Sequence, residues 1–174
     1  MRYFCHEFVQ IPQSMKKWMF ILPLILLLSS CVDDVKFNNP AFQALKDNVF
    51  WRAQNYNAYT TTNGTFVIEA YLGSEKVTLQ TASPALHSYI LGIDDVSKAS
   101  YSNTLPAELT NFSTGKNKGS GLITITEFNI ENNTISGTFK FTAVNADATN
   151  TDHPKINFTE GVFYKVPVRP ASEF

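Results

Sequence analysis

Few side chains in this 174-residue sequence are of types that do chemistry. Leu28-Ser29-Ser30-Cys31 places a thiol directly after two small residues, the setting of a processed and modified cysteine. The histidines downstream of it are His87 and His153. A metal site would need them to meet beside a carboxylate such as Asp94 or Asp152. A Ser–His–Asp hydrolase has its residue types here but no Gly-x-Ser-x-Gly elbow. No catalytic residue and no metal ligand is therefore assigned. Asn145, Asp147 and Thr149 alternate and could offer oxygens to calcium. An EF-hand-type loop would want Gly and Glu where Asn150 and Ile156 stand, and a solvated hairpin loop fits better. The adjacent Asp94 and Asp95 suit a turn better than a glycosidase pair. Ser113–Gly121 contains Gly and Lys without the Gly-Lys-Ser/Thr order of a phosphate loop. Trp51, Tyr56 and Tyr59, with Tyr71, Tyr89 and Tyr101, could form a sugar-stacking platform; burial in a core is the competing reading.

The elements around Cys31 give it meaning. An apolar run of eleven residues, Trp18–Leu28, precedes the small residues, and Lys16-Lys17 precedes the run. That is the order of a secretory signal peptide, and the run falls short of the roughly 20 residues a membrane span needs. Met15-Lys16-Lys17 is a normal start for such a signal, so residues 1–14 are expected to be a mis-called extension, residues 15–30 the signal, and Cys5 and His6 irrelevant. The tetrapeptide resembles the lipobox of bacterial lipoproteins. The resemblance implies cleavage before Cys31 and a covalent lipid on its sulfur, with no other cofactor. Asp33-Asp34 resembles, loosely, the acidic export tags of some Gram-negative surface lipoproteins, which usually begin at the second mature position, here Val32. A solvated tether over residues 31–40 is the alternative.

Residues 31–174 keep 11 of the 14 basic residues and 14 of the 15 acidic ones, a net of −3. That length suits one domain able to bury about two thirds of its unfolded surface without disulfides. The charge gives no footing to a nucleic-acid partner. With Cys31 lipidated, neither a disulfide framework nor a thiolate metal site can form. Sparse Lys and Glu beside plentiful Asn, Thr and aromatics favour strands and turns.

The pattern predicts a single β domain over 41–174. Ala41–Ala53 is preferred as a hairpin turning at Asp47-Asn48, with Val49, Trp51 and Ala53 on one face, over a helix capped by Asn39. Asn63-Gly64 signals a type I′ turn. Phe66–Leu72 and Val77–Thr81 alternate around a II′ turn at Gly73-Ser74. Tyr89–Ile93 reads as a short strand. Ser97–Leu109 shows too little pattern, and Ser113–Gly121 reads as a mobile loop. Leu122–Ile130 and Ile135–Ala143 form a hairpin. Ile123 and Ile125 share a face with Phe128 and Ile130 only if a bulge lies near Thr126-Glu127. Val144–Pro154 is a polar loop, and Ile156–Val168 a last strand kinked at Gly161. Turns between short alternating strands imply an all-β antiparallel sandwich or partly closed barrel.

Three tracts carry a wider resemblance. They begin at Gly121-Leu-Ile-Thr-Ile-Thr-Glu-Phe, Ile135-Ser-Gly-Thr-Phe-Lys-Phe-Thr-Ala and Ile156-Asn-Phe-Thr-Glu-Gly-Val-Phe. With the lipobox and a first strand–turn–strand ending in Trp51, most of 41–168 is similar to a group of uncharacterised Gram-negative lipoproteins. Relatives often carry Gly where Asn48 stands, a change Asn tolerates because it accepts positive φ. The resemblance implies fold and location, a β domain lipid-anchored at the outer membrane and facing the periplasm or the cell surface. It assigns no activity. The lipobox, the all-β pattern and the want of a catalytic constellation together lead to the expectation that it binds a protein or glycan or serves as a structural part.

Overall fold

The computed structural model describes residues 39–108 and 110–170. The signal peptide, Cys31 and the Asp33-Asp34 pair lie outside them. Eleven strands are found among the described residues: β1 (Ala41–Lys46), β2 (Val49–Arg52), β3 (Asn55–Thr60), β4 (Phe66–Leu72), β5 (Glu75–Thr81), β6 (Ser88–Leu91), β7 (Lys98–Asn103), β8 (Thr110–Ser113), β9 (Ser120–Asn129), β10 (Thr134–Asn145) and β11 (Lys155–Arg169). One 3₁₀ turn, Pro106–Glu108, links β7 to β8.

Two faces are built. One runs β6-β9-β10-β11-β1-β2 and the other β3-β4-β5-β7-β8. They are hydrogen-bonded to each other at two corners. The end of β10 pairs with β8 through Val144 and Asn145. The end of β11 pairs with β3 through Val168 and Arg169. The architecture is thus a sandwich whose faces are stitched into a partly closed barrel, as the alternation predicts. The β11–β3 corner is parallel, so the sheet is mixed rather than wholly antiparallel.

Turn chemistry explains the local structure. Asp47 and Asn48 both take positive φ, +46° and +66°, which a two-residue I′ hairpin requires. The helix alternative is overturned. Trp51 and Ala53 are buried, but Val49, next to the turn, is exposed. Gly73 supplies the positive φ of the II′ turn. Asn63-Gly64 departs from expectation, since only Gly64 is left-handed. Its N–H donates to Thr61 O, and Thr61 N–H donates to Thr65 O, making a three-residue loop.

The unpatterned stretch 97–109 contains β7. Its inward positions are Ala99, Tyr101 and Asn103, too small or too polar to read as hydrophobic alternation. The tract read as a mobile loop is a tight turn between β8 and β9, closed by reciprocal backbone bonds between Gly115 and Lys118. Strand β10 also runs on to Asn145, shortening the expected polar loop.

Bulges keep the longest strands in phase. In β9 the extra residue is Thr126, where the sequence places it. Phe128 then packs against Phe66 across the core at 6.4 Å, whereas Ile130 lies in the turn and is exposed. In β11 the kink belongs to Glu160 rather than Gly161. Glu160 and Lys165 both have positive φ, and the register against β10 slips by one residue beside each. The inward series therefore reads 156, 158, then 161, 163, then 166. Phe42, Trp51, Phe139 and Phe158 from one face meet Phe66, Leu79, Tyr101 and Phe112 from the other in one core.

Candidate functional site

Where the two faces part at one end, a mouth of about 530 Å³ opens. The end of β1 supplies Lys46 to it, the start of β5 Glu75, β7 Tyr101 and Asn103, and the β10–β11 loop Asn150 and His153. Lys46 and Glu75 each sit beside a hairpin turn, Asn103 ends β7, and Tyr101 lies two residues inside it, so these strand ends come to the same end of the fold.

Glu75 is the hub. One carboxylate oxygen accepts from Lys46 Nζ at 2.7 Å, and the other accepts from the indole N–H of Trp51. Lys46 Nζ also reaches the Tyr101 hydroxyl at 3.3 Å and lies 5.1 Å from that ring's centre. Burial works to lower the Lys46 pKa, but its hydrogen bonds to Glu75 and Tyr101 prevail and leave it above 10.5. Burial raises the Tyr101 phenol above 10.0, against the pull of Lys46. A charged pair held this way under a half-dry rim is strong only while both partners remain. Beside it, Asn103 accepts from Ser74 Oγ at 2.8 Å and donates to Glu108 at 3.1 Å. Asp47 accepts from the Asn157 backbone and side-chain N–H groups. The mouth thus presents carboxylates, amides, an imidazole and ammonium groups around a concave floor, a lining able to hold a polar ligand by hydrogen bonds.

The sequence-selected residues are dispersed. Trp51 is 2 % exposed, with its ring edge-on to Phe42 and Phe158, so it is core and not part of an exposed platform with Tyr56 and Tyr59. Tyr56 is half-buried, and its hydroxyl donates to Pro40 O. Tyr59 and Tyr71 lie half-buried on the outer face with Glu69 and Lys76. Tyr71 donates to Glu69 at 2.8 Å, and burial and Glu69 together raise both phenols. Tyr89 and Tyr101 are buried.

His87 stacks edge-on to Tyr89, while His153 lines the mouth. Among the described residues no hydrogen bond joins either imidazole to a serine hydroxyl or a carboxylate, and no group of three His, Cys, Asp or Glu is placed to hold a metal ion. Asn145, Asp147 and Thr149 spend their oxygens on one another. Asn145 accepts from the Asp147 N–H, and Asp147 accepts from both Thr149 N–H and Oγ, which lowers its carboxyl pKa. Asp94 accepts from Val96 and Ser97 N–H in its own loop, and Asp95 from Lys116 N–H across the fold.

The sequence singles out Tyr101 only as a stacking candidate and does not point to Lys46 or Glu75. The one signal for the cluster is that Lys46 and Glu75 each adjoin a hairpin turn, and nothing in the sequence says that those two turns share an end.

Comparison with curated proteins and with solved structures finds no match. A family model described as a domain of unknown function, DUF6252, matches residues 38–167, which spans every strand but the last two residues of β11. The chain belongs to the DUF6252 family.

Proposed function

We propose that the chain is a lipid-anchored cell-envelope protein of the outer membrane, on its periplasmic face or at the cell surface, whose β domain acts by binding or as a structural part. The observation that carries this reading is Leu28-Ser29-Ser30-Cys31 behind an apolar run and a lysine pair. The family match begins at residue 38 and β1 at Ala41, so residues 32–40 have room to act as a tether. Acyl chains on Cys31 contribute about 0.8 kcal/mol per buried CH₂, and several chains together anchor stably. The expected result is a diacylated Cys31 by mass spectrometry and detergent-dependent fractionation. Cys31→Ala should release the protein to the soluble fraction. An unmodified thiol in the exported protein overturns the reading.

The mouth favours a second reading, a glycan-binding accessory of a saccharide-uptake system. Its amide, carboxylate and imidazole lining suits sugar hydroxyls. Glycan-array binding that falls on replacing Asn150 and His153 by Ala supports it. A clean array removes the glycan reading and leaves the anchor untouched.

A further inference from the structure

A second concavity, about 480 Å³, opens on the outer face of β5, β7 and β8 and shares no lining residue with the mouth. Its floor is a row of hydroxyls. Thr78 pairs with Ser100, and Ser100 with Ser113, so one hydroxyl comes from each strand. Its walls carry Lys98, Lys116 and Lys118.

Lys46 and Lys76 are neutralised by Glu75 and Glu69. Among the described residues no carboxylate lies within 4.0 Å of the three pocket ammonium groups, although residues 31–174 carry a net −3. Among the described residues Asp95 is the only carboxylate lining the pocket, and it accepts from the Lys116 backbone N–H at 3.0 Å and so anchors the turn. Lys118 Nζ donates to Ser113 Oγ at 3.1 Å, which keeps it over the hydroxyl row.

The turn that holds two of these lysines is built in place. Asn117 N–H donates to Gly92 O at 3.0 Å, and Thr114, buried, accepts from Ala99 N–H through its hydroxyl. Gly119 has φ +67°, and a methyl there would sit 2.5 Å from Thr142 O. A turn backbone fixed before binding leaves only side chains to be ordered on capturing an anion. Ammonium point charges above hydroxyl donors match a group with several acceptor oxygens and negative charge.

We propose that this pocket binds a phosphate group, with Lys98, Lys116 and Lys118 supplying the charge and Thr78, Ser100 and Ser113 the hydrogen bonds. Soluble phosphate esters and lipid headgroups share that chemistry.

The test is calorimetry on the full chain in neutral detergent, titrated with inorganic phosphate, glycerol 3-phosphate and glycerophosphoglycerol, with hydrogen exchange to locate binding. The expected result is saturable binding that weakens with added salt, slows exchange across 113–119, and disappears when all three lysines become Gln. Lys116→Gln, whose side chain has no hydrogen-bonded partner to lose among the described residues, should by itself weaken binding several-fold without lowering the melting temperature. Lys140→Gln, outside the pocket, should leave binding unchanged. Tighter binding of the monoester assigns a soluble phosphate ester, and tighter binding of the diester a lipid headgroup. No saturable binding, or binding that survives in the triple-Gln and Lys116→Gln variants alike, overturns the proposal.

Discussion

The indole N–H of Trp51, on β2, donates to the carboxylate of Glu75, on β5. The bond crosses from one face of the sandwich to the other, and Lys46 closes the same carboxylate from β1. Glu75→Gln keeps an acceptor for the indole but removes the counter-ion of Lys46. Leaving a part-buried charge unpaired costs about 1–3 kcal/mol. Urea denaturation at pH 7 should show that loss.

The pH dependence of the pair has a definite sign. In the native protein Lys46 has a raised pKa, so its contribution is full below 10.5 and fades as pH rises through the higher folded value. Without Glu75, burial is opposed by Tyr101 alone and the folded pKa falls. The native protein then loses more than the variant as pH rises past 10.5, and the deficit of the variant should narrow. A deficit constant from pH 7 to beyond 10.5 would show that the charge of Lys46 plays no part.

Tyr59, Tyr71 and Tyr101 all resist ionisation, through burial first and through Glu69 for the first two. At pH 10.0 these three phenols should be less than half ionised by near-ultraviolet absorbance. Glu69→Gln should bring Tyr59 and Tyr71, but not Tyr101, closer to 10.0. Since the folded state holds these protons more tightly, stability should decline as pH rises above 10.0.

Ser136 and Gly137 should be sensitive for separate reasons. Ser136 Oγ accepts from Lys165 N–H at the β11 bulge and donates to Glu127, while Thr126 at the β9 bulge donates to Ser136 O. One residue thus serves irregularities in both neighbouring strands, and Ser136→Ala should cost about 1–2 kcal/mol. A methyl on Gly137 would run into the Thr124 carbonyl oxygen and the Phe163 ring. Gly137→Ala should cost about 3 kcal/mol through overpacking. Denaturation midpoints of the two variants check both values.

Asn48 takes φ +66° at the first turn. Alanine is disfavoured there and glycine is not. Asn48→Ala should lose about 1 kcal/mol, whereas Asn48→Gly should match or slightly exceed the native stability. Equal losses in both would mean that the amide side chain, not the backbone, holds the turn.

The hairpins were legible because turn residues and strand alternation are local. Asp47-Asn48, Gly73-Ser74 and the Thr126 bulge stand where the pattern places them. Strand β7 was illegible because Ala99 and Asn103 are inward without being large or apolar. The 114–119 turn reads as loose because its restraints come from Asp95, Gly92 and Ala99, residues at least 15 positions away. The same holds at the mouth. Lys46 and Glu75 are 29 residues apart. Trp51 alternates with Ala53 in the pattern and is buried as core, whereas its indole bond to Glu75 on another strand has no local signal.

Strand β11 is last in order yet has β10 along one edge, with β1 and then β3 along the other. Until residues 155–169 are delivered, the β1–β2 hairpin has no neighbour to dock on, and neither face can be stitched to the other through β11. Assembly therefore waits for distant segments to find each other, the slow regime of folding. Delivered in order, the strands before residue 155 stay an open, unfinished ribbon, and residues 155–169 act as their clasp.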